Sequence, residues 1–393
     1  MMEKNELPKG WELKKLGEVC EIIMGQSPPS DTYNVNGQGL PFFQGKAEFT
    51  ELYPVAQKWC KSPNKIAEPN DILLSVRAPV GTTNIANQKC CIGRGLAAIR
   101  YENYKFVFYF LRSIERELDE KGTGTTFRAI SGETIRATEI PLPPLPEQHR
   151  IVAKIEALFS QLDNGIAQLK TAQAQLKVYR QAVLKWAFEG NEDETNLLKD
   201  VSEKIQIGPF GSQLHQEDYI ENGIPLINPM HLKDGEILPD FKYSISISKR
   251  DSLPNYILKA GDVIMGRRGE MGRCGLVTEK ENGWFCGTGS LFVRPRQRVD
   301  STFLYYQLRS DHCKKYLELN AGGTTMTNLN LKIVSSIPIF IPSLEEQHRI
   351  VQEIESRLSV CDKLEETITQ ALQQSEALRQ SILKRAFEGR LVK

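Results

Sequence analysis

The sequence predicts an α+β protein in which two similar globular domains are separated by two long helices, paired as an antiparallel coiled coil. The first observation is a pseudo-two-fold internal repeat: residues 143–190 align without a gap with 342–389, and 22 of the 48 positions are identical. The second is a seven-residue spacing of apolar side chains within each copy. The third is that the remaining stretches, 1–142 and 191–341, share short matching segments. A repeat of this size decides the domain organisation before any local pattern is considered.

Residues 1–142 form the first predicted domain. Runs of apolar and β-branched residues, bounded by Gly, Pro and Asn, predict short strands over 19–24, 40–44, 72–76, 95–100 and 135–141. One amphipathic helix is predicted over 106–118. The domain is therefore of mixed α/β type with many loops.

Residues 143–190 predict the first long helix. One line of the heptad pattern carries Ile155, Leu162, Leu169, Leu176 and Val183. Such a stripe over about four to five heptads is expected to pack helix on helix. Gly190 stands where a glycine C-cap is expected. At about 1.5 Å per residue the helix would span roughly 65 Å.

Residues 191–341 repeat the plan of the first domain with looser similarity. Residues 39–44 match 223–228, 71–77 match 262–268, and 124–126 match 323–325. The offset grows along the chain, so the two domains differ by insertions in loops. Two modules that share a framework but differ in their loops are expected to hold two versions of one kind of ligand.

Residues 342–393 predict the second long helix in the same heptad register. Its predicted packing residues are Ile354, Cys361, Ile368 and Ile382 on one line and Leu364 on the other. One chain thus carries two helices that are able to pair with each other.

Composition limits the class of protein. The length of 393 residues allows two to four domains, and 25% charged residues with a net charge of +1 are ordinary for a globular protein. A nucleic-acid site would therefore have to come from local clustering of cations. Eight cysteines without a C-x-x-C spacing predict reduced thiols and no metal site. The absence of a long apolar run and of a signal-peptide pattern predicts a cytoplasmic protein without a membrane contact.

The duplicated helix entry carries a family resemblance. The letters EQHRIV occur at 147–152 and again at 346–351, and both predicted helices end with the letters AFEG. Together with the alternation of domains and helices over essentially the full chain, this resembles the specificity (S) subunit of a type I restriction–modification system. The resemblance implies that the globular modules are target recognition domains, each reading one half of a split DNA site. It also implies that the helices form a spacer and bind methyltransferase subunits.

The resemblance further implies the partners and their chemistry. These would be double-stranded DNA, two methyltransferase (M) subunits that methylate adenine N6, and restriction (R) subunits that cleave. S-adenosylmethionine, ATP and Mg would bind to those subunits, and this chain would carry no cofactor and no catalytic residue.

Polar and cationic side chains, many of them flanked by glycines, are the predicted DNA contacts, because base edges and phosphates need donors on closely approaching loops. In the first domain they are Gln44, Lys46, Arg77, Arg94, Thr125, Thr126 and Arg128; in the second they are Asn228, His231, Arg267, Arg268, Arg273, Thr324, Thr325 and Asn328. The run GRRGEMGR at 266–273 stands out, since three arginines lie among three glycines.

Two other classes of function stay open on the residues alone. The chain could be a coiled-coil scaffold with two modules for sugars or peptides, or a degenerate methyltransferase. The second is weakened because residues 228–230 read NPM, without the second proline and aromatic residue of an amino-methyltransferase motif. A G-x-x-x-x-G-K-[ST] phosphate loop is absent as well.

Overall fold

The computed structural model describes residues 7–124, 128–189, 195–210, 213–321 and 328–392. The chain divides into a first unit, residues 1–169 with 370–393, and a second unit, residues 170–369. Each unit therefore combines one globular domain with the beginning or end of both long helices.

Within its described residues, the first globular domain contains short strands and four short α-helices. The strands are β1 (Glu12–Lys15), β2 (Glu21–Met24), β3 (Tyr33–Asn34), β4 (Leu40–Phe43), β5 (Lys58–Cys60), β6 (Ile66–Ala67), β7 (Ile72–Ser75), β8 (Thr83–Ile85), β9 (Cys90–Ile92), β10 (Leu96–Arg100) and β11 (Glu139–Leu142). The helices are α1 (Leu16–Val19), α2 (Tyr104–Ser113), α3 (Glu115–Glu120) and α4 (Gly132–Arg136), and the long helix α5 (Leu145–Phe188) follows.

The second globular domain repeats this series. Its strands are β12 (Thr195–Leu197), β13 (Ser202–Ile207), β14 (Tyr219–Ile220), β15 (Ile224–Ile227), β16 (Leu232–Lys233), β17 (Glu236–Ile237), β18 (Ser244–Ile245), β19 (Val263–Gly266), β20 (Cys274–Leu276), β21 (Phe285–Cys286), β22 (Ser290–Pro295) and β23 (Pro338–Phe340). Its helices are α6 (Leu198–Val201), α7 (Ile247–Ser252), α8 (Ser301–Leu308), α9 (Asp311–Asn320) and α10 (Leu331–Ser335), and the long helix α11 (Leu344–Phe387) follows.

Corresponding strands pair in the same order in both domains. An antiparallel sheet has the order β2-β10-β7-β8 in the first and β13-β22-β19-β20 in the second. A second sheet in each domain contains one parallel pair, β4 with β9 and β15 with β21. A ribbon of β1 with β11, or of β12 with β23, joins the two ends of each domain. This shared topology confirms the predicted α+β class with a duplicated domain.

One ion pair is also duplicated. Arg100 donates from Nε and Nη2 to the two carboxylate oxygens of Asp71, each at 2.8 Å. Arg294 binds Asp262 in the same bidentate way at 2.7 Å. Both aspartates are buried, and each pair joins neighbouring strands of the antiparallel sheet. A bidentate, charge-assisted pair is among the stronger polar contacts in proteins and fixes the register here twice.

The long helices take part in the core of each unit. In the first unit, Ile151 and Ile155 near the start of α5 share a core with Leu383 and Phe387 near the end of α11. The same core includes Phe106 of α2, whose ring lies 5.2 Å from that of Phe387 in an edge contact. Each domain is thus packed directly on its segment of the helix pair.

The two helices run antiparallel within each unit. In the second unit, Arg180 binds Asp362 at 2.7 Å, and further along α5 Trp186 lies under Arg357, with 4.2 Å between the guanidinium carbon and the ring centroid. Contacts that advance along α5 therefore move backward along α11. In the first unit, Asp163 of α5 forms an ion pair with Arg379 of α11.

The predicted packing residues are only partly buried. Ile155, Val183, Ile354, Cys361, Ile368 and Ile382 are buried, and Leu162, Leu169 and Leu176 are half-buried. Leu364 is 47% exposed, so the prediction that it packs is wrong. Ile350, two heptads earlier on the same line, is buried. An α-helix drifts by about 20° per heptad against a strict seven-residue repeat, so this line turns toward solvent between Ile350 and Leu364. Gly190, the predicted cap, lies outside the described residues.

Local signals explain one further difference from the predicted elements. The strand predicted over 135–141 is divided into α4 and β11. Ser131 caps α4 by accepting a hydrogen bond from the Thr134 N–H at 3.1 Å, and an N-cap serine favours the helix over the strand.

All eight cysteines are buried thiols. In the part of the chain that the structure describes, none of the helices combines the length and the apolar character needed to cross a bilayer.

Candidate nucleic-acid interface

In the first unit, the predicted residues of two loops meet at one sheet edge. Because β4 and β9 are parallel, their carboxyl ends lie side by side. Gln44 and Lys46 follow β4, and Arg94 follows β9. A hydrogen bond from the Gly93 N–H to the Phe43 carbonyl, 2.8 Å, ties the two loops together.

The end of β7 reaches the same edge. The Val76 N–H donates to the carbonyl of Gly95 at 2.9 Å, directly beside Arg94, and Arg77 follows. The Ala78 N–H then donates to the carbonyl of Arg128 at 2.9 Å. Four separate segments of the first domain therefore carry their predicted DNA contacts to one place.

The second unit repeats this junction. The Gly287 N–H donates to the carbonyl of Ile227, and the Arg267 N–H to that of Gly289, both at 2.9 Å. Arg268 forms a β-bridge with Asn328, as Arg77 does with Ala129 in the first unit. Arg77 and Arg268 therefore occupy equivalent positions.

Four of the predicted cations are exposed and face no carboxylate within the described residues. They are Lys46, Arg77, Arg94 and Arg268. Arg128 differs, because its Nη1 lies 3.0 Å from Oδ2 of Asp119. Exposed cations without an acidic partner are suited to phosphate oxygens and to the acceptor edge of guanine.

Arg267 faces inward, against the prediction that it contacts DNA. It is only 7% exposed, and it occupies the position of the buried Val76 in the first unit. Its Nε donates to the carbonyl of Leu329 at 3.1 Å and its Nη1 to that of Thr288 at 3.5 Å. Burial lowers the pKa of the guanidinium. Arg267 therefore stabilises the junction from the buried side through these hydrogen bonds. Its side chain points away from that of Arg268 because successive residues of an extended strand point to opposite faces.

Other predicted contacts of the second unit also brace the loops. His231 is buried, and its Nδ1 accepts from the Asn228 N–H at 3.1 Å; burial lowers its pKa. Asn228 accepts from the Gly289 N–H at 3.2 Å through its side-chain oxygen. Arg273 is half-buried and donates to the carbonyls of Pro229, at 3.2 Å, and Arg268, at 3.3 Å. The prediction that His231 reads DNA is contradicted by its burial.

Thr125, Thr126, Thr324 and Thr325 lie outside the described residues. Asn328, the first described residue after the second of these loops, is half-buried, and its Oδ1 has no hydrogen-bond partner among the described residues.

Sequence reasoning missed Thr288. It follows β21 as Arg94 follows β9, between two glycines in both cases. The signal was present, since residues 95–100 match 289–294 and the preceding residues could have been aligned with the same offset.

Within the described ranges, no group of three or more His, Cys, Asp or Glu side chains is placed so that it could hold a metal ion.

A family model described as the type I restriction modification DNA specificity domain matches residues 8–174 and again 194–374. The chain belongs to this family. Each match covers one globular domain and the greater part of the long helix that follows it.

Relatives in the family agree over different parts of the chain. The chain is similar to the type I restriction enzyme EcoBI specificity subunit of Escherichia coli, with 27% identity over 97% of this chain and 86% of that protein. It is 47% identical to the MjaX specificity subunit of Methanocaldococcus jannaschii over 162 residues, which are 40% of this chain and 38% of that protein. A solved chain from a study of complex assembly and conformational transition in a type I R-M system shares the fold, with a TM-score of 0.74, 24% identity, and coverage of 98% and 99% of the two chains.

Proposed function

We propose that this chain is the DNA specificity subunit of a type I restriction–modification complex, in which each globular domain reads one half of a bipartite site. The observation that carries the proposal is the duplicated junction with an exposed arginine, Arg77 or Arg268, at the same strand exit in each unit. Family membership over both halves of the chain supports the same assignment.

The chemistry of the complex belongs to partner subunits in this proposal. M subunits that bind S-adenosylmethionine would methylate adenine N6, and R subunits would use ATP and Mg for cleavage. A methyltransferase has to extrude its target base from the duplex, so the reading subunit must hold the DNA while the base turns out. The complex would act in the cytoplasm, where its DNA lies.

The long helices are proposed to set the spacing between the half-sites and to dock two M subunits. Each helix has 44 residues, or about 66 Å at 1.5 Å per residue. Insertion of seven residues into both α5 and α11 should lengthen the unread gap while both half-sites stay the same. Methylation sequencing of cells that carry the variant measures this, and an unchanged gap would refute the role of the helices in spacing.

DNA binding itself is tested with the full chain assembled with its methyltransferase partner. Affinity for a duplex that carries the bipartite site should exceed that for a scrambled duplex. It should also fall steeply with salt, because protein cations that bind phosphates displace the counterions of the DNA. Methylation mapping with and without the gene identifies the site. Equal affinity for both duplexes at every salt concentration would contradict the proposal and favour a scaffold with other ligands.

A further inference from the structure

A turn with a single variable side chain lies at the junction of each unit. It reads Gly93-Arg94-Gly95 after β9 and Gly287-Thr288-Gly289 after β21. Both turns close in the same way: the N–H of Leu96 donates to the carbonyl of Gly93, and the N–H of Ser290 to that of Gly287, each at 3.0 Å. The two backbones are therefore equivalent, and the central residue is where they differ.

Close approach explains the flanking glycines. A Cβ on Gly95 would lie 2.2 Å from the carbonyl oxygen of Gln44. A Cβ on Gly287 would lie 2.3 Å from Oδ1 of Asn228. A side chain at Gly95 would push away the backbone of the loop that follows β4, and one at Gly287 would displace the Asn228 side chain from its hydrogen bond with the Gly289 N–H, so glycine is favoured at both positions. The central residue has no such restriction: Arg94 is exposed and Thr288 is half-buried.

Hydrogen bonds tie each turn to its surroundings. In the first unit, the Arg94 N–H donates to the hydroxyl of Ser27 at 3.2 Å. In the second, the guanidinium of Arg267 reaches the carbonyl of Thr288 at 3.5 Å. In each turn the carbonyl of the second glycine, Gly95 or Gly289, also accepts a hydrogen bond from the backbone N–H of the residue just before the exposed arginine. A turn that is hydrogen-bonded to its surroundings and lies beside an exposed cation is suited to reading a base, since recognition side chains must be held in place.

We propose that Arg94 and Thr288 are equivalent specificity-determining residues, and that Thr288 contacts the half-site of the second unit at the place where Arg94 contacts that of the first. This rests on the proposed function. Arginine can donate two hydrogen bonds to the O6 and N7 of guanine, whereas threonine offers one hydroxyl and a methyl group that packs on the methyl of thymine. The bases contacted by the two turns therefore differ, although the frameworks agree.

The reciprocal substitutions Arg94→Thr and Thr288→Arg test this in the full chain assembled with its methyltransferase. Selection from a library of duplexes with randomised half-sites, followed by methylation sequencing, reads the base preference. Each variant should change the preference at one position of one half-site only. The expected change is about 5- to 160-fold in relative affinity, the range of one good base contact. Thr288→Val and Thr288→Ser separate the hydroxyl from the methyl contribution.

Arg116→Thr is the matched control, because the Arg116 side chain is 93% exposed and ion-paired with Glu120 on α3. It should leave both half-sites unchanged. Melting temperatures identify a variant that fails to fold, and Thr288→Ser, the smallest change, then carries the test.

Three outcomes would overturn the inference. One is an unaltered base preference in all folded variants. Another is a uniform loss of affinity for every sequence, which would make the turn a phosphate contact. The third is a change in the half-site of the other domain. If the unaltered complex itself does not distinguish a specific duplex from a scrambled one, the proposed function fails instead, whatever the variants do.

Discussion

Removal of Arg77 or Arg268 is expected to weaken DNA binding in a salt-dependent way. The two side chains are exposed at equivalent strand exits, and neither has a carboxylate partner within the described part of the chain. Each cation that neutralises one phosphate adds about 0.9 to the slope of log affinity against log salt concentration. Arg77→Gln and Arg268→Gln should therefore each lower the slope by about 0.9, and the double variant by about 1.8.

The expected differences are large enough to measure. Between about 50 and 200 mM salt, the advantage of the unaltered chain over either single variant should shrink about 3.5-fold, and over the double variant about 12-fold. If the arginines bind guanine instead, the loss should be about 1–3 kcal/mol and limited to sequences with guanine at the contacted position.

Fluorescence anisotropy with a bipartite duplex at three salt concentrations measures these slopes on the full chain with its methyltransferase partner. Arg116→Gln is the control, since it removes an exposed arginine of the first unit whose partner is Glu120. Because the substituted side chains are exposed, the melting temperatures should be unchanged. Unaltered slopes and affinities in both single variants and in the double variant would refute the assignment of this edge as the DNA-binding surface.

Three further predictions concern stability. Asp262→Asn removes the buried carboxylate that binds Arg294, whose side chain is 16% exposed. The free energy of unfolding measured in urea should fall by about 3–5 kcal/mol, and a loss below about 1 kcal/mol would contradict this prediction. On α11, Ile354→Ala should lower the free energy of unfolding by about 2–5 kcal/mol, because Ile354 is fully buried. Leu364→Gln, at a position that is 47% exposed, should change it by no more than about 0.5 kcal/mol. Equal losses in the two variants would show that the assigned packing face is incorrect. Burial lowers the pKa of His231, so as pH falls the unfolded chain binds a proton before the folded chain does. The contribution of His231 to stability should be full above about pH 6.5 and should decrease as pH falls from there toward the folded pKa. The urea midpoints of His231→Gln should lack this pH-dependent component, and a pH profile identical to that of the unaltered chain would refute the prediction.

The long helices show what a periodic sequence pattern can predict and what it cannot. The heptad spacing predicted both helices, and the structure places them at Leu145–Phe188 and Leu344–Phe387. It did not predict which members of the pattern are buried. Leu364 and Ile354 both fit the heptad, but only Ile354 lies in a core shared with a globular domain. That choice depends on what packs against each turn of the helix.

The candidate interface shows the same limit at single-residue scale. Arg267 and Arg268 are neighbours of identical chemistry, and composition cannot rank them. The structure separates them because one side chain is buried beneath the junction and the other is exposed beside it. Thr288 was missed for the opposite reason: a threonine between glycines is unremarkable until the parallel pairing of β15 with β21 places it beside Asn228.

By itself the sequence determined the duplication, the two helices and the α+β class, because each follows from local spacing or from an alignment of the chain with itself. The family resemblance came from matching the duplicated helix entries and the alternating architecture to a known family. Only the tertiary structure decided which polar residues meet and which of them stay exposed. Strand pairing brings together segments that lie tens of residues apart, and alternation along a strand turns adjacent side chains to opposite faces. Neither effect is contained in the identity of the residue concerned.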